Sequence, residues 1–305
     1  MSAVRKIAHW KLRTRTLELG KRTLVMGVVN ITPDSFSDGG RFFNTEAAVA
    51  RCLQCLEEGA DILDLGAEST RPGTQAGNIN EAGVSAEEEQ ARLLPVIEGV
   101  LRESPWAALS ADTYKASTAR AALASRAEII NDVSGFTWDK HLPAVCAQSG
   151  CGVVLMHTRG HPDEWRAQAK LSSGELLETV QTGLAESLAV ATVSGIAPES
   201  VVLDPGYGFG KKFDENYALL AKQAELLALG PPLLAGLSRK SFLGHTLSEL
   251  HGGVQAPVDA RETASIAAMV AAILNGASIV RVHDVRPAVE AARIADAILA
   301  NDTRG

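Results

Sequence analysis

Residues 24–40 read Leu24-Val25-Met26-Gly27-Val28-Val29-Asn30-Ile31-Thr32-Pro33-Asp34-Ser35-Phe36-Ser37-Asp38-Gly39-Gly40. The apolar run 24–29 predicts a buried strand. It passes without a helical turn into a loop carrying a carboxamide, two carboxylates, three hydroxyls and an aromatic ring. Pro33 fixes one φ angle, while Gly39 and Gly40 leave the chain free to bend. A connector needs only to turn. This density of metal- and proton-handling groups points instead to a mobile catalytic loop at the carboxyl end of a β-strand.

Outward from that strand the same alternation repeats. Short runs rich in Val, Ile and Leu predict strands at 24–29, 62–66, 107–111, 128–131, 152–157, 201–204, 233–237 and 278–283. They are apolar on both faces, as a parallel sheet covered on both sides requires. Alanine- and leucine-rich helices lie between them. Asn44-Thr45 is read as the cap of the first helix and Ser85-x-x-Glu88 as a capping box for the second. Gly59, Gly150 and Gly276 stand where helices give way to strands. Eight β/α pairs in one chain fit a (β/α)₈ TIM barrel, an α/β fold, better than an open doubly wound sheet. No G-x-G-x-x-G follows the first strand, which argues against a Rossmann dinucleotide site. Residues 1–22 read as a polar N-terminal extension and β-hairpin, and 23–305 as a single barrel domain.

The bulk composition narrows the function. The chain has 305 residues, 46% of them apolar, and a formal net charge of −7. That suits a cytoplasmic enzyme with a large core and excludes a general nucleic-acid or anionic-membrane surface, so any anionic substrate must be held by a few local cations. No apolar run approaches the ~18 residues needed to span a bilayer. The basic start lacks a signal-peptide core. Cys52 and Cys55 give at most half a zinc site, with no His spacing to complete it, so all four cysteines read as buried thiols.

In such a barrel the active site lies at the carboxyl ends of the strands. Each of the eight predicted strands delivers a polar or soft group there: Asn30, Glu68 to Gly73, Asp112, Asn131-Asp132, Met156-His157, Asp204, Ser238 to Ser241, and Arg281 with His283. The groups divide into two subsites. Asp112, Asn131 and Asp204 suit a flat heterocycle with an amino-pyrimidinone edge. Lys240 can donate to its ring atoms, and the Arg281 guanidinium can stack on it. Arg281 and His283 face the same way on their strand and, with Thr70 and Arg71, can bind a dianion such as pyrophosphate. Asn30 offers an oxygen to Mg²⁺, which takes one or two protein ligands beside phosphate and water.

Blander readings stand beside these. Asp204 can initiate a turn, Asp112 and Asn131 can cap helices, and Met156 can be core. If Met156 faces a ligand, its neighbour His157 points into the outer layer. Arg239 either serves the site or pairs with an acidic neighbour outside it. Each alternative is sound singly; their all holding together at eight strand ends is what the pattern argues against.

Taken in order, the motifs resemble the dihydropteroate synthase family, from about residue 21 to 299: NITPDSFSDGG at 30–40, ESTRPG at 68–73, ADTYK at 111–115 and IIND at 129–132. LMH at 155–157, LDPGYGFGK at 203–211, GLSRKSFLG at 236–244 and RVHD at 281–284 continue the series. The resemblance implies condensation of 6-hydroxymethyl-7,8-dihydropterin diphosphate with p-aminobenzoate, giving 7,8-dihydropteroate and pyrophosphate. It implies pterin contacts at Asp112, Asn131, Met156, Asp204, Lys240 and Arg281. Pyrophosphate falls to Asn30, Thr70, Arg71, Arg281 and His283, with Mg²⁺ at Asn30. Phe36, Pro72, Lys240 and Ser241 match the p-aminobenzoate pocket. Asp38, Arg71 and Lys240 match the catalytic positions. Sulfonamides as competing ligands and a homodimer are further implications. A related methyltetrahydrofolate-type methyltransferase barrel and an inactive pterin-binding paralogue are the alternatives. The loop 73–83 looks several residues longer than the family's, and 158–170 is individual, which assigns it only a place at the rim.

Overall fold

The computed structural model describes residues 5–31, 41–68, 76 and 83–301, with the side chains of 41–44 excepted. Eight parallel strands close into a barrel: β3 (Leu24–Asn30), β4 (Ile62–Gly66), β5 (Leu109–Asp112), β6 (Ile129–Asp132), β7 (Gly152–Met156), β8 (Val201–Asp204), β9 (Leu233–Ala235) and β10 (Ala277–Val282), with β10 pairing β3. The predicted strands are these eight, with ends displaced by at most two residues.

Helices α1 (Arg41–Glu57), α2 (Ala86–Glu103), α3 (Ala116–Ala124), α4 (Leu142–Ser149), α5 (Ser173–Val193), α6 (Phe213–Ala221), α7 (Ser241–Thr246), α8 (Glu262–Leu274) and α9 (Val285–Ala300) surround it. None of the described helices is long and apolar enough to cross a membrane. The outward strand residues and inward helix faces form one large core that includes all four cysteines, each free and buried, as expected for structural thiols.

Two capping expectations need correction. Helix α1 spans Arg41–Glu57, so Asn44 and Thr45 lie inside it and not at the expected N-cap position. At α2 only half of the capping box exists. Ser85 Oγ accepts the Glu88 N–H at 3.1 Å. The Glu88 carboxylate turns instead to Arg92, one helical turn on. Gly59, Gly150 and Gly276 do end helices, all with positive φ.

The amino-terminal end of the barrel is closed by the expected hairpin, β1 (Ala8–Lys11) and β2 (Thr16–Leu19), paired antiparallel. Trp10, Leu12 and Leu19 pack with the first interior layer, which includes Leu24, Ile62, Val154, Val202, Leu234 and Ile279. The Trp10 indole N–H donates to the Ser200 carbonyl at 2.9 Å, satisfying the polar end of a fully buried ring. A side chain on Gly152 would collide with Leu12, so glycine there is what lets the hairpin seat.

Strand register then positions the opposite end. Asn30 pairs with Gly66, Gly66 with Asp112, and Asp112 with Asn131, so these four residues form one row around the rim. Met156 pairs with Asp204 in the same manner.

Candidate active site

Strand side chains alternate with period two, so residues an even number beyond the interior layer also face inward. From Ile62, Ile129, Val154, Val202 and Ile279 that rule carries Asp64, Asn131, Met156, Asp204, Arg281 and His283 into the barrel's carboxyl end. Asn30 and Asp112 follow from Leu24 and Ala108. The interior therefore changes from apolar to charged within one layer.

Its centre is Asp64, a residue that the sequence reading passed over inside the apolar strand 62–66. Fully buried, it accepts three hydrogen bonds: from Ser110 Oγ at 2.6 Å, Asn131 Nδ2 at 3.0 Å and Arg281 Nε at 2.6 Å. Arg281 Nη2 also reaches Asp112 Oδ2 at 2.6 Å. Arg281, Asn131, Asp112 and Asp64 thus form one network. A carboxylate interrupting a run otherwise apolar on both faces was the available signal, since a charge is almost never buried unpaired.

Electrostatics follow from burial and this pairing. Burial opposes the Arg281 charge, yet Asp64 and Asp112 more than offset it, and the guanidinium is held more firmly protonated than usual. Burial raises the Asp112 and Asp204 carboxyls, against the pull of Arg281 on the first and of the Gly206 N–H on the second. Asp204 is the turn initiator of the blander reading and also lies at the barrel interior. Oδ1 accepts the Gly206 N–H at 2.7 Å and starts the turn, while Oδ2 faces the interior beside Gly236. Neither Asp112 nor Asn131 caps a helix: one pairs with Arg281 and the other donates to Asp64.

Lys240, at the start of α7, lies with Nζ 3.9 Å from the Phe209 ring centroid. Burial lowers its pKa to about 7. The Phe209 loop is braced by Lys211, whose buried ammonium donates to the carbonyls of His157, Gly206 and Phe209. Ser241, exposed, is the first residue of α7, its carbonyl accepting from Gln255.

His283 is neutral, its pKa driven down to about 3 by burial and then by Arg281 and Arg239. Ser238 Oγ accepts the His283 backbone N–H at 3.2 Å and lies 3.0 Å from Nδ1. A cavity of ≈ 540 Å³ opens beside Asn30 and His283 and is also lined by Arg51 and Arg239. His157 faces outward, as expected beside an inward Met156, its ring against Gly183 of α5. Arg239 pairs with Asp284. The remaining expected site residues, Phe36, Asp38, Thr70, Arg71 and Pro72, lie outside the described residues.

A small polar basin at the strand ends, acidic and amide on one side and basic on the other, suits a heterocycle joined to an anion. Residues 26–283 match the family model described as pterin binding enzyme. The chain is 40% identical to the dihydropteroate synthase of Synechocystis over 279 residues, 92% of this chain and 91% of that one. Among solved structures, the Xanthomonas albilineans dihydropteroate synthase with 4-aminobenzoic acid is 39% identical with a TM-score of 0.84, covering 97% of this chain and 99% of that one. The Yersinia pestis dihydropteroate synthase with a sulfonamide is 37% identical, also with a TM-score of 0.84, covering 96% and 99%.

Proposed function

Since the chain belongs to the pterin-binding enzyme family and, within it, to the dihydropteroate synthases of folate synthesis, we propose a division of its site and a dissociative mechanism. The observation that carries the reading is the network of Asp64, Asp112, Asn131 and Arg281 at the barrel mouth. Asp112, Asn131 and Asp204 hold the pterin edge, Met156 lies against the ring, and Arg281, its edge engaged by two carboxylates, offers its face for stacking. Asn30, Thr70, Arg71, Arg281 and His283 take the diphosphate. Phe36, Pro72, Lys240 and Ser241 take p-aminobenzoate, the substrate for which sulfonamides compete.

Mg²⁺ fits this donor set in one way. Among the described residues no three His, Cys, Asp or Glu side chains converge on a metal, so an all-protein cage is absent. Asn30, at the strand end beside the cavity, suits an ion carried mainly by phosphate oxygens and water. When bound, Mg²⁺ supplies charge neutralisation to the leaving diphosphate.

The bond between the pterin methylene carbon and the diphosphate oxygen breaks first, and its electron pair leaves with diphosphate. Arg71, Arg281 and His283 stabilise that charge. The carbon cation conjugated to the dihydropterin is favoured by the carboxylates of Asp112 and Asp204; Asp38, outside the described residues, matches the family's loop carboxylate. The arylamine nitrogen then forms the new bond and releases a proton. The protein works in the cytoplasm as a homodimer; alanine-rich α8 and the exposed Leu250, Val254 and Val258 ahead of it support a helical contact.

A coupled assay of pyrophosphate release, run with and without p-aminobenzoate, tests the reading. Sustained release is expected only with the arylamine, and release indifferent to it sinks the proposal. A chemical step whose rate tracks the nucleophilicity of substituted anilines would overturn the dissociative order.

A further inference from the structure

Two site residues stand next to the two halves of one ion pair. Arg239 directly precedes Lys240, and Asp284 directly follows His283. Arg239 Nε lies 3.0 Å from Asp284 Oδ2, and Nη2 lies 2.5 Å from Oδ1, a two-pronged contact between the loops after β9 and β10.

The backbone at Arg239 is held as deliberately. Its φ is +60°, the left-handed region that a residue with a β-carbon seldom enters. Its N–H donates to Ser265 Oγ at 2.9 Å, and its carbonyl accepts from Arg261 Nη1 at 3.0 Å. The turn is thereby fastened to the start of α8. One residue earlier, Ser238 Oγ holds His283. The two loops are laced at successive levels, Ser238 to His283 and Arg239 to Asp284.

The pair is not buried: its side chains keep 35% and 24% of their exposure. An ion pair this open to water contributes little to stability. Its geometry, between neighbours of both subsites, gives it another use.

We propose that Arg239 and Asp284 are positioning residues, a clamp that sets Lys240 and Ser241 on one loop against His283 on the other. The arylamine and diphosphate sides then bind interdependently. The proposal rests on the division of the site given above. Occupation of His283 by an anion fixes the loop after β10, and the clamp carries that order to Lys240 and Ser241. By linkage the effect is reciprocal.

The test is calorimetric titration of the whole protein with p-aminobenzoate, with and without saturating Mg²⁺ and inorganic pyrophosphate. The quantity read is the ratio of the two dissociation constants. In the wild type the ratio exceeds ten. In Asp284→Asn and in Arg239→Lys, which keeps the charge but loses the planar fork, it falls at least fivefold while the melting temperature stays within a few degrees. Variants that keep the wild-type ratio overturn the clamp and leave the site assignment standing. A wild-type ratio of one overturns both. If Asp284→Asn does not fold, Arg239→Lys decides. Failure of both to fold would make the pair a folding element and end the proposal.

Discussion

Arg281 on β10 reaches past β3 to place its Nε 2.6 Å from the carboxylate of Asp64 on β4. The pair lies between the apolar lower layer and the polar mouth, so the candidate site stands on a charge that the fold itself must neutralise. Removing one partner of a buried pair costs about 3–5 kcal/mol where the other is left uncompensated, and here Arg281 keeps Asp112, which favours the low end. Asp64→Ala is therefore expected to lower unfolding stability by roughly 3 kcal/mol in urea titrations, and to weaken pterin binding through Arg281 and Asn131. A loss under ~1 kcal/mol, of the order of an exposed pair, would show that Asp112 and water suffice to compensate Arg281.

Lys240 gives the site a pH response. With its pKa lowered to about 7, the ligand-free ammonium is charged below that value and neutral above it. The carboxyl of p-aminobenzoate is ionised throughout the neutral range, so the charged form of Lys240 binds it better. The dissociation constant is expected to rise as pH climbs through about 7, by up to about tenfold per unit for a single proton. Lys240→Met should bind weakly at every pH with a flat profile, and a sloping profile in that variant would assign the response to another group.

Gly206 has φ +71°, and a β-carbon there would collide with the His157 carbonyl oxygen. The Asp204 loop can approach the end of β7 that closely only with glycine. Gly206→Ala should displace the loop carrying Asp204 and Phe209, raising KM for the pterin substrate severalfold and lowering Tm. An unchanged KM would separate the loop's path from pterin binding.

Trp10 gives the contrasting case. Its ring plugs the far end of the barrel, and truncating a buried aromatic costs about 3–5 kcal/mol. Trp10→Ala is expected to shift the denaturation midpoint strongly while leaving KM for both substrates within twofold at temperatures where the protein stays folded. A large KM change would connect the hairpin to the site.

What the linear chain determined by itself was local or periodic. The eight apolar runs specify strands buried on both faces, and barrel chemistry then directs attention to the residue at each carboxyl end. Asn30, Asp112, Asn131, Met156, Asp204 and Arg281 were legible this way because period-two alternation carries a side chain's direction along a strand. The glycines at 59, 150 and 276 were legible because left-handed backbone favours one residue type.

Tertiary structure alone decided the pairings. Asp64 reads as an anomaly inside an apolar strand until closure of the sheet brings Ser110, Asn131 and Arg281 to its carboxylate. Arg239 had two open readings, and the meeting of the loops after β9 and β10 chose Asp284 as its partner. Asn44, Thr45 and Glu88 went the other way, their capping patterns overridden by a longer helix and by an arginine one turn along. The physical reason is common to all of these. Backbone preference acts over a few residues and is written in order along the chain. A buried charge is settled by whichever opposite charge folding brings within about 3 Å of it, and that depends on strand register and barrel closure.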